Sequence, residues 1–243
     1  MNSCKNCNEL VSGNYCSNCG HATNLKRIDG SYVIREIASS FNTESGMIYT
    51  IRMMFLAPGK SVKQFLLEDR NRFVKPISFI LITALIAIIV SHFFKIDAKV
   101  IQQQFSDEAD IFELPTYNLL INWLIDNSYS DIVVGFIMAF WVKLFFRKSG
   151  YNLFEIFVLY CYLIGISSIF TSVIFTIQGL THLNLIIVSN IITVIYLTWA
   201  TGQFFNRRKA SSYLKAFISY ILGFYMVGFL VVLIAIFVDI ILK

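Results

Sequence analysis

The chain has 243 residues, 56% hydrophobic, 16% aromatic and only 14% charged, with a mean hydropathy of +0.66. A soluble domain carries about 25% charged residues, so a single water-soluble globule is excluded and lipid is read as the main solvent. The formal net charge of +5 is unevenly spread, with ten of the twenty Lys and Arg before residue 77. The N-terminus lacks the apolar core and small-residue cleavage site of a signal peptide.

The first element is a cysteine module. Cys4-Lys5-Asn6-Cys7 and Cys16-Ser17-Asn18-Cys19 form two C-x-x-C pairs separated by eight residues. That spacing places four thiolates tetrahedrally around one Zn²⁺. Gly20 and Asn8 suit the left-handed position after each knuckle, and Ser12-Gly13-Asn14 reads as a hairpin turn between them. A module over residues 1–23 is too short to build a core, whereas structural zinc supplies roughly 10–16 kcal/mol of apparent binding energy in finger peptides. Four thiolates close the coordination sphere, so the expected site is structural, with no position for a catalytic water. Iron accepts the same ligands. His21 is read as a solvated neighbour of a complete Cys4, Cys7, Cys16 and Cys19 set. The fifth cysteine, Cys161, lies in an apolar run and reads as a small packing residue.

Residues 24–76 read as a cytosolic helical shelf. Val33, Ile37 and Phe41 share one helical face. Gly46 to Leu56 is apolar, rich in Met and aromatics, and too short to span, which suits a helix in the headgroup zone. Pro58 starts another helix, with Val62, Phe65 and Leu66 facing one way. Lys60, Lys63, Arg70, Arg72 and Lys75 are expected near anionic lipid. Gly59-Lys60-Ser61 is not a phosphate loop, because Met54 stands where its first Gly belongs. The basic patch lacks the aromatic interleaving of a nucleic-acid surface, so no nucleic acid is expected.

Five apolar runs follow: 77–94, 129–146, 153–175, 183–205 and 217–242. A crossing needs about 20 residues, and Pro76 fits the start of the first. The links alternate in charge. Residues 95–128 hold Lys95 and Lys99 against Asp97, Asp107, Glu108, Asp110, Glu113 and Asp126, whereas 147–150 and 206–216 are basic and 176–182 carry no formal charge. Lys and Arg stay on the cytoplasmic side, which puts the N-terminus in the cytosol and the C-terminus outside. The expected fold is an all-α integral membrane protein. It comprises a five-span helical bundle over 77–243, a Cys4 zinc ribbon and amphipathic interfacial helices.

The run "GNYCSNCG", then "LAPGKSVKQFLLEDRNRFVKP", then apolar spans resembles an uncharacterised bacterial membrane family with an N-terminal zinc ribbon, the domain-of-unknown-function family 3667. That family's Pro-Gly, Gly-Lys-Arg and Pro positions map onto Pro58, Gly59, Arg70 and Pro76, with Glu68 and Asp69 in place of Gly-Lys. The resemblance implies a multipass inner-membrane protein and no known activity. The layout is also similar, more loosely, to Yip1-type membrane proteins.

Within the spans, Lys143 and Glu155 flank the 147–152 turn at similar depth. A relay is one reading, and a snorkelling Lys beside an interfacial Glu is the other and favoured one. His92, His182 and Asp239 fall toward the outer face and read as separate interfacial residues, although a metal or acid–base trio is conceivable. Asn190, Ser167, Ser168, Thr171 and Ser172 read as interhelical hydrogen-bonding and close-packing positions. No catalytic residue or organic cofactor is indicated. The leading expectation is a membrane-anchored scaffold whose ribbon docks a protein partner. A transporter or channel subunit comes second, and a lipid-modifying enzyme third.

Overall fold

Two prolines set the start of the bundle. Pro58 opens α2 and Pro76 opens α3, at first-turn positions where a missing N–H costs nothing. The computed structural model describes residues 2–4, 7, 9–11, 13, 15–19, 27–32, 46–96, 115–127 and 129–241. Strands β1 (Asn2–Ser3) and β2 (Leu10–Val11) pair antiparallel. The helices are α1 (Met47–Leu56), α2 (Pro58–Leu67), α3 (Pro76–Phe93), α4 (Pro115–Asp126), α5 (Ser130–Phe145), α6 (Leu153–Thr181), α7 (Ile186–Asn206) and α8 (Ala210–Ile241). Val33, Ile37 and Phe41 lie outside the described residues.

Four of these helices, α3, α6, α7 and α8, are long and apolar enough to cross a membrane. Their boundaries differ from the apolar runs. Helix α6 continues to Thr181 and α8 begins at Ala210, because polar residues at a span's end lengthen a helix without changing its hydropathy minimum. Helix α6 is the centre, packed by α3, α5 and α7, and α8 closes the bundle against α5 and α7.

The second apolar run differs most from its expected form. Helix α5 has 16 residues, about 24 Å at 1.5 Å per residue, short of the ~30 Å hydrocarbon layer. Helix α4 precedes it, inside what reads from sequence as an external acidic link. Helices α4 and α5 together follow α8 in antiparallel fashion. Lys215 Nζ lies over the Phe146 ring, Met138 fills the space at Gly223, and the Thr116 hydroxyl donates to Asp239. The break between them falls beside the middle of α6, because Gly135, one turn and a half into α5, already packs against Ile164 and Tyr160. Ser130 bridges the break, donating from Oγ to the carbonyls of Leu124 and Asn127 at 2.5 and 2.6 Å.

The shelf is seated more deeply than a headgroup helix. Val62, Phe65 and Leu66 of α2 are buried, as expected, but against Val158, Leu159, Tyr162 and Phe204 of the bundle. A Cβ on Gly59 would meet the Phe204 backbone nitrogen at 2.5 Å, so α2 approaches α7 at backbone distance, and Gly59 N donates to Gln203 Oε1 at 2.9 Å. Met54 of α1 is buried and its carbonyl accepts from the Tyr196 hydroxyl at 3.0 Å. Buried Thr50 Oγ1 accepts from Val74 N at 3.0 Å, and Tyr162 donates to Val74 O at 2.6 Å. Ile48, Phe55 and Leu56 stay exposed. Helix α1 therefore wedges one face into the bundle and offers the other to lipid. Cys161 packs, fully buried, among Ile77, Ile80 and Met138.

Candidate functional site

The cysteine cluster is built from the chain outward. Ser3 pairs with Leu10 across the ladder, and Cys4 N donates to Glu9 O at 2.7 Å, which closes the first knuckle. The described ladder thus turns around the first knuckle. In the expected turn at 12–14, Ser12 and Asn14 lie outside the described residues, as do Asn8, Gly20 and His21. The second knuckle brings Cys19 Sγ to 3.6 Å from Cys4 Sγ, and Cys16 Sγ to 3.5 Å from Cys7 Sγ. All four sulfurs lie within 4.8 Å of one another. A tetrahedral ion with metal–sulfur bonds of about 2.3 Å separates its ligands by about 3.8 Å, so the donor set fits and could hold a metal ion. None of the four is in a disulfide. Cys7 is pushed up to about 12, where a lowering hydrogen bond from the Glu9 backbone is outweighed by desolvation and by hydrogen bonds with the Cys19, Cys16 and Cys4 thiols.

The module's exit is fastened to the bundle. Arg27 Nε and Nη2 donate to the two Glu155 carboxylate oxygens at 2.8 and 2.7 Å, and Nη2 also reaches Gly150 O at 2.7 Å. Glu155 hydrogen bonding and charge raise the Arg27 pKa further. Asn152 donates from Nδ2 to Ile28 O at 2.9 Å, and Ile28 is fully buried. Asn152 and Glu155 also form a capping box at the start of α6, with Glu155 N to Asn152 Oδ1 at 2.8 Å and Asn152 N to Glu155 Oε2 at 2.7 Å. Gly150 turns the chain with φ 79°. Eight chain steps separate Cys19 from Arg27, so the second knuckle lies within about 29 Å of this anchor. Lys143 does not pair with Glu155. It donates to Tyr151 O at 2.6 Å, as an end-of-helix lysine does. Sequence reading missed Arg27 because a contact across 128 residues leaves no local pattern.

The basic shelf residues are largely engaged within the protein. Lys63 lies over Phe204, and desolvation lowers its pKa. Arg70 stacks on Tyr32 and Phe65, and Arg72 pairs with Asp69 at 3.3 Å. Asp69, where the resembling family has Lys, also accepts from Asn71 N at 2.9 Å and so stabilises the turn between α2 and α3. Ser61 donates to Met53 O and Ala57 O inside a helix, consistent with no phosphate loop at 59–61.

At the opposite end of the bundle, the trio expected at the outer face does not assemble into one site. His92 lines a cavity of about 830 Å³ that includes neither His182 nor Asp239. His182 caps α6 in a left-handed conformation, and its N–H donates to Gln178 O at 2.8 Å. Thr171 and Ser189 bond between helices at 3.1 Å, as expected of packing hydroxyls. Yet Ser167, Ser168, Thr171 and Asn190 also line the cavity, together with Lys95, Asn127, Ser130 and Asp131. Asp131 was not among the expected site residues. A carboxylate inside an apolar run was the signal that could have found it.

A family model described as Protein of unknown function (DUF3667) matches residues 44–88. The matched stretch is α1, α2 and most of α3, including Pro58, Gly59, Arg70 and Pro76. The likeness therefore rests on the shelf and its junction with the bundle, not on the cysteines. Comparison with the curated proteins and with the solved structures gives no match.

Proposed function

We propose that this is a multipass protein of a bacterial inner membrane whose cytosolic zinc ribbon docks a protein partner at the membrane surface. The observation that carries the reading is the ribbon's own surface: Leu10 is 64% and Tyr15 70% exposed on a module with no core to bury them. An exposed Tyr is a residue type that anchors partners, and Leu10 on the same module adds apolar area. The Arg27–Glu155–Gly150 contact supports this reading, because it tethers the chain that leaves the ribbon to the basic 147–150 link, the face that the positive-inside rule assigns to the cytosol. Zinc fits the four-thiolate set best, since it favours closed tetrahedral sulfur coordination. The chain would cross the membrane five times, the second time by the broken pair α4 and α5.

A second reading, a transporter or channel subunit, is favoured by the polar cavity beside a discontinuous span. The test is a crosslinking pulldown from native membranes, comparing wild type, Cys16→Ser/Cys19→Ser and Leu10→Ser/Tyr15→Ser. A partner captured by wild type and lost from both variants is expected. Identical capture by all three would overturn the docking reading and leave transport ahead.

A further inference from the structure

The cavity combines features that ordinary packing does not require. It is bounded by α3, α6 and α7, by the break between α4 and α5, and by Phe224 of α8. Its volume is about 830 Å³, within the range of small-molecule sites. Along α3 it runs from Lys95 and His92, both exposed, down to buried Ala84. The eight residues from His92 to Ala84 make it about 12 Å deep. Irregular backbone at this depth is tolerated where it lines a wet cavity or a binding site.

The lining has a definite chemistry. Ser91, Ser167 and Ser168 donate their protons to their own helices, to Ile88 O, Leu163 O and Ile164 O at 2.8, 3.0 and 3.1 Å. Each therefore turns acceptor lone pairs to the cavity. Asp131 adds a carboxylate and Lys95 an ammonium. Among the described residues, no hydrogen bond or ion pair engages either charged group, although both line the same space. Two opposite charges that share a cavity without neutralising each other are the complement of a zwitterion. A lone metal ion would need close oxygen ligands on all sides, which so large a space does not give.

We propose that this cavity binds a small zwitterion entering from the His92–Lys95 end, its ammonium against Asp131 and the hydroxyl wall, its anionic group against Lys95 and His92. The ammonium–anion pair is the recognised chemistry, whether carried by a free solute or by a lipid headgroup. This binding does not depend on the ribbon docking a partner.

The test uses the purified full-length protein in nanodiscs of phosphatidylglycerol. Phosphoethanolamine and glycine are titrated by calorimetry, with ethylammonium and acetate as singly charged controls. In a parallel arm, nanodiscs also containing phosphatidylethanolamine are analysed by native mass spectrometry for retained lipid. Saturable binding of a soluble zwitterion, or selective retention of phosphatidylethanolamine, is expected, and the arm that responds identifies the source. Asp131→Asn and Lys95→Gln should each weaken it by about tenfold or more, the scale of one charge-assisted contact. Lys95 is exposed beyond the end of α3, so its variant tests the idea even if Asp131→Asn misfolds. No saturable binding in either arm, equal binding of the singly charged controls, or unchanged binding in Lys95→Gln would overturn the proposal.

Discussion

The two ends of the bundle solve the problem of polar groups in opposite ways. At the shelf end, Arg27 meets Glu155, Arg72 meets Asp69, Thr50 accepts from Val74, and Tyr162 and Tyr196 donate to carbonyls. These groups are matched by protein, although Arg70 Nε and Ser149 Oγ are buried there without a hydrogen-bond partner among the described residues, and the space between them is filled by aromatic rings such as Phe65, Phe73 and Phe79 around Tyr162. At the far end, Asp131 and Lys95 face an open cavity, and the backbone breaks beside it. A buried polar group without a partner costs about 1–3 kcal/mol, a cost that falls on the partly buried Asp131 and not on exposed Lys95. The shelf end is organised for rigidity and the far end for occupancy. The cysteine module is a third case, a short two-stranded ladder with four converged sulfurs that could hold a metal ion.

That contrast can be broken by substitution. The largest effect is expected from Cys16→Ser/Cys19→Ser or from chelation, which would remove the binding energy of the proposed zinc, about 10–16 kcal/mol in finger peptides. Released metal and loss of dispersed amide signals from residues 1–23 should accompany unchanged helical circular dichroism from the bundle. Loss of bundle helicity would show the two to be one folding unit. Next, Gly59→Val forces side-chain atoms into the Phe204 backbone, and overpacking of this kind costs about 1–3 kcal/mol. Thr50→Val leaves the Val74 N–H without its acceptor and should cost about as much. Both are read from thermal or denaturant unfolding in a fixed detergent.

Smaller effects sharpen the same comparison. Asn152→Ala removes the α6 cap and the Ile28 contact, and cap loss alone costs about 1 kcal/mol. The same variant should raise protease cleavage between the ribbon and α1, and unchanged cleavage would mean that Arg27 alone holds the anchor. The smallest change is expected at the far end. Asn190→Leu replaces a cavity-lining amide that has no partner among the described residues. Its stability should shift by about 0.5 kcal/mol or less, in either direction. A loss as large as that of Thr50→Val would mean the far end is as tightly matched as the shelf.

Much of this was legible because its cause is local. Four cysteines at C-x-x-C spacing dictate convergence wherever the ribbon sits, and the sulfurs do converge. Pro58 and Pro76 start helices because proline fits only their first turn. The apolar runs mark α3, α6, α7 and α8 because a helix that crosses a membrane must be apolar along its length whether it faces lipid or other helices. The start of α5 at Ser130 was read to within one residue, but helix α4 before it was not legible. Asp126-Asn127-Ser128-Tyr129 holds neither Pro nor Gly, and Leu119 to Ile125 reads as the tail of a polar link until α8 is seen beside it.

The sequence by itself determined the class of the protein: helices apolar enough to cross a membrane, a cysteine cluster that could hold a metal ion and a basic shelf, each set by residue type and short spacing. Only the tertiary structure decided which charges meet. It matched Arg27 to Glu155 across the shelf and the first spans, held Lys143 on a carbonyl, and left Asp131 and Lys95 facing a common cavity without a bond between them. Pairing between charges depends on how helices far apart in the chain are packed. A one-dimensional pattern carries the charges but not the distances between them.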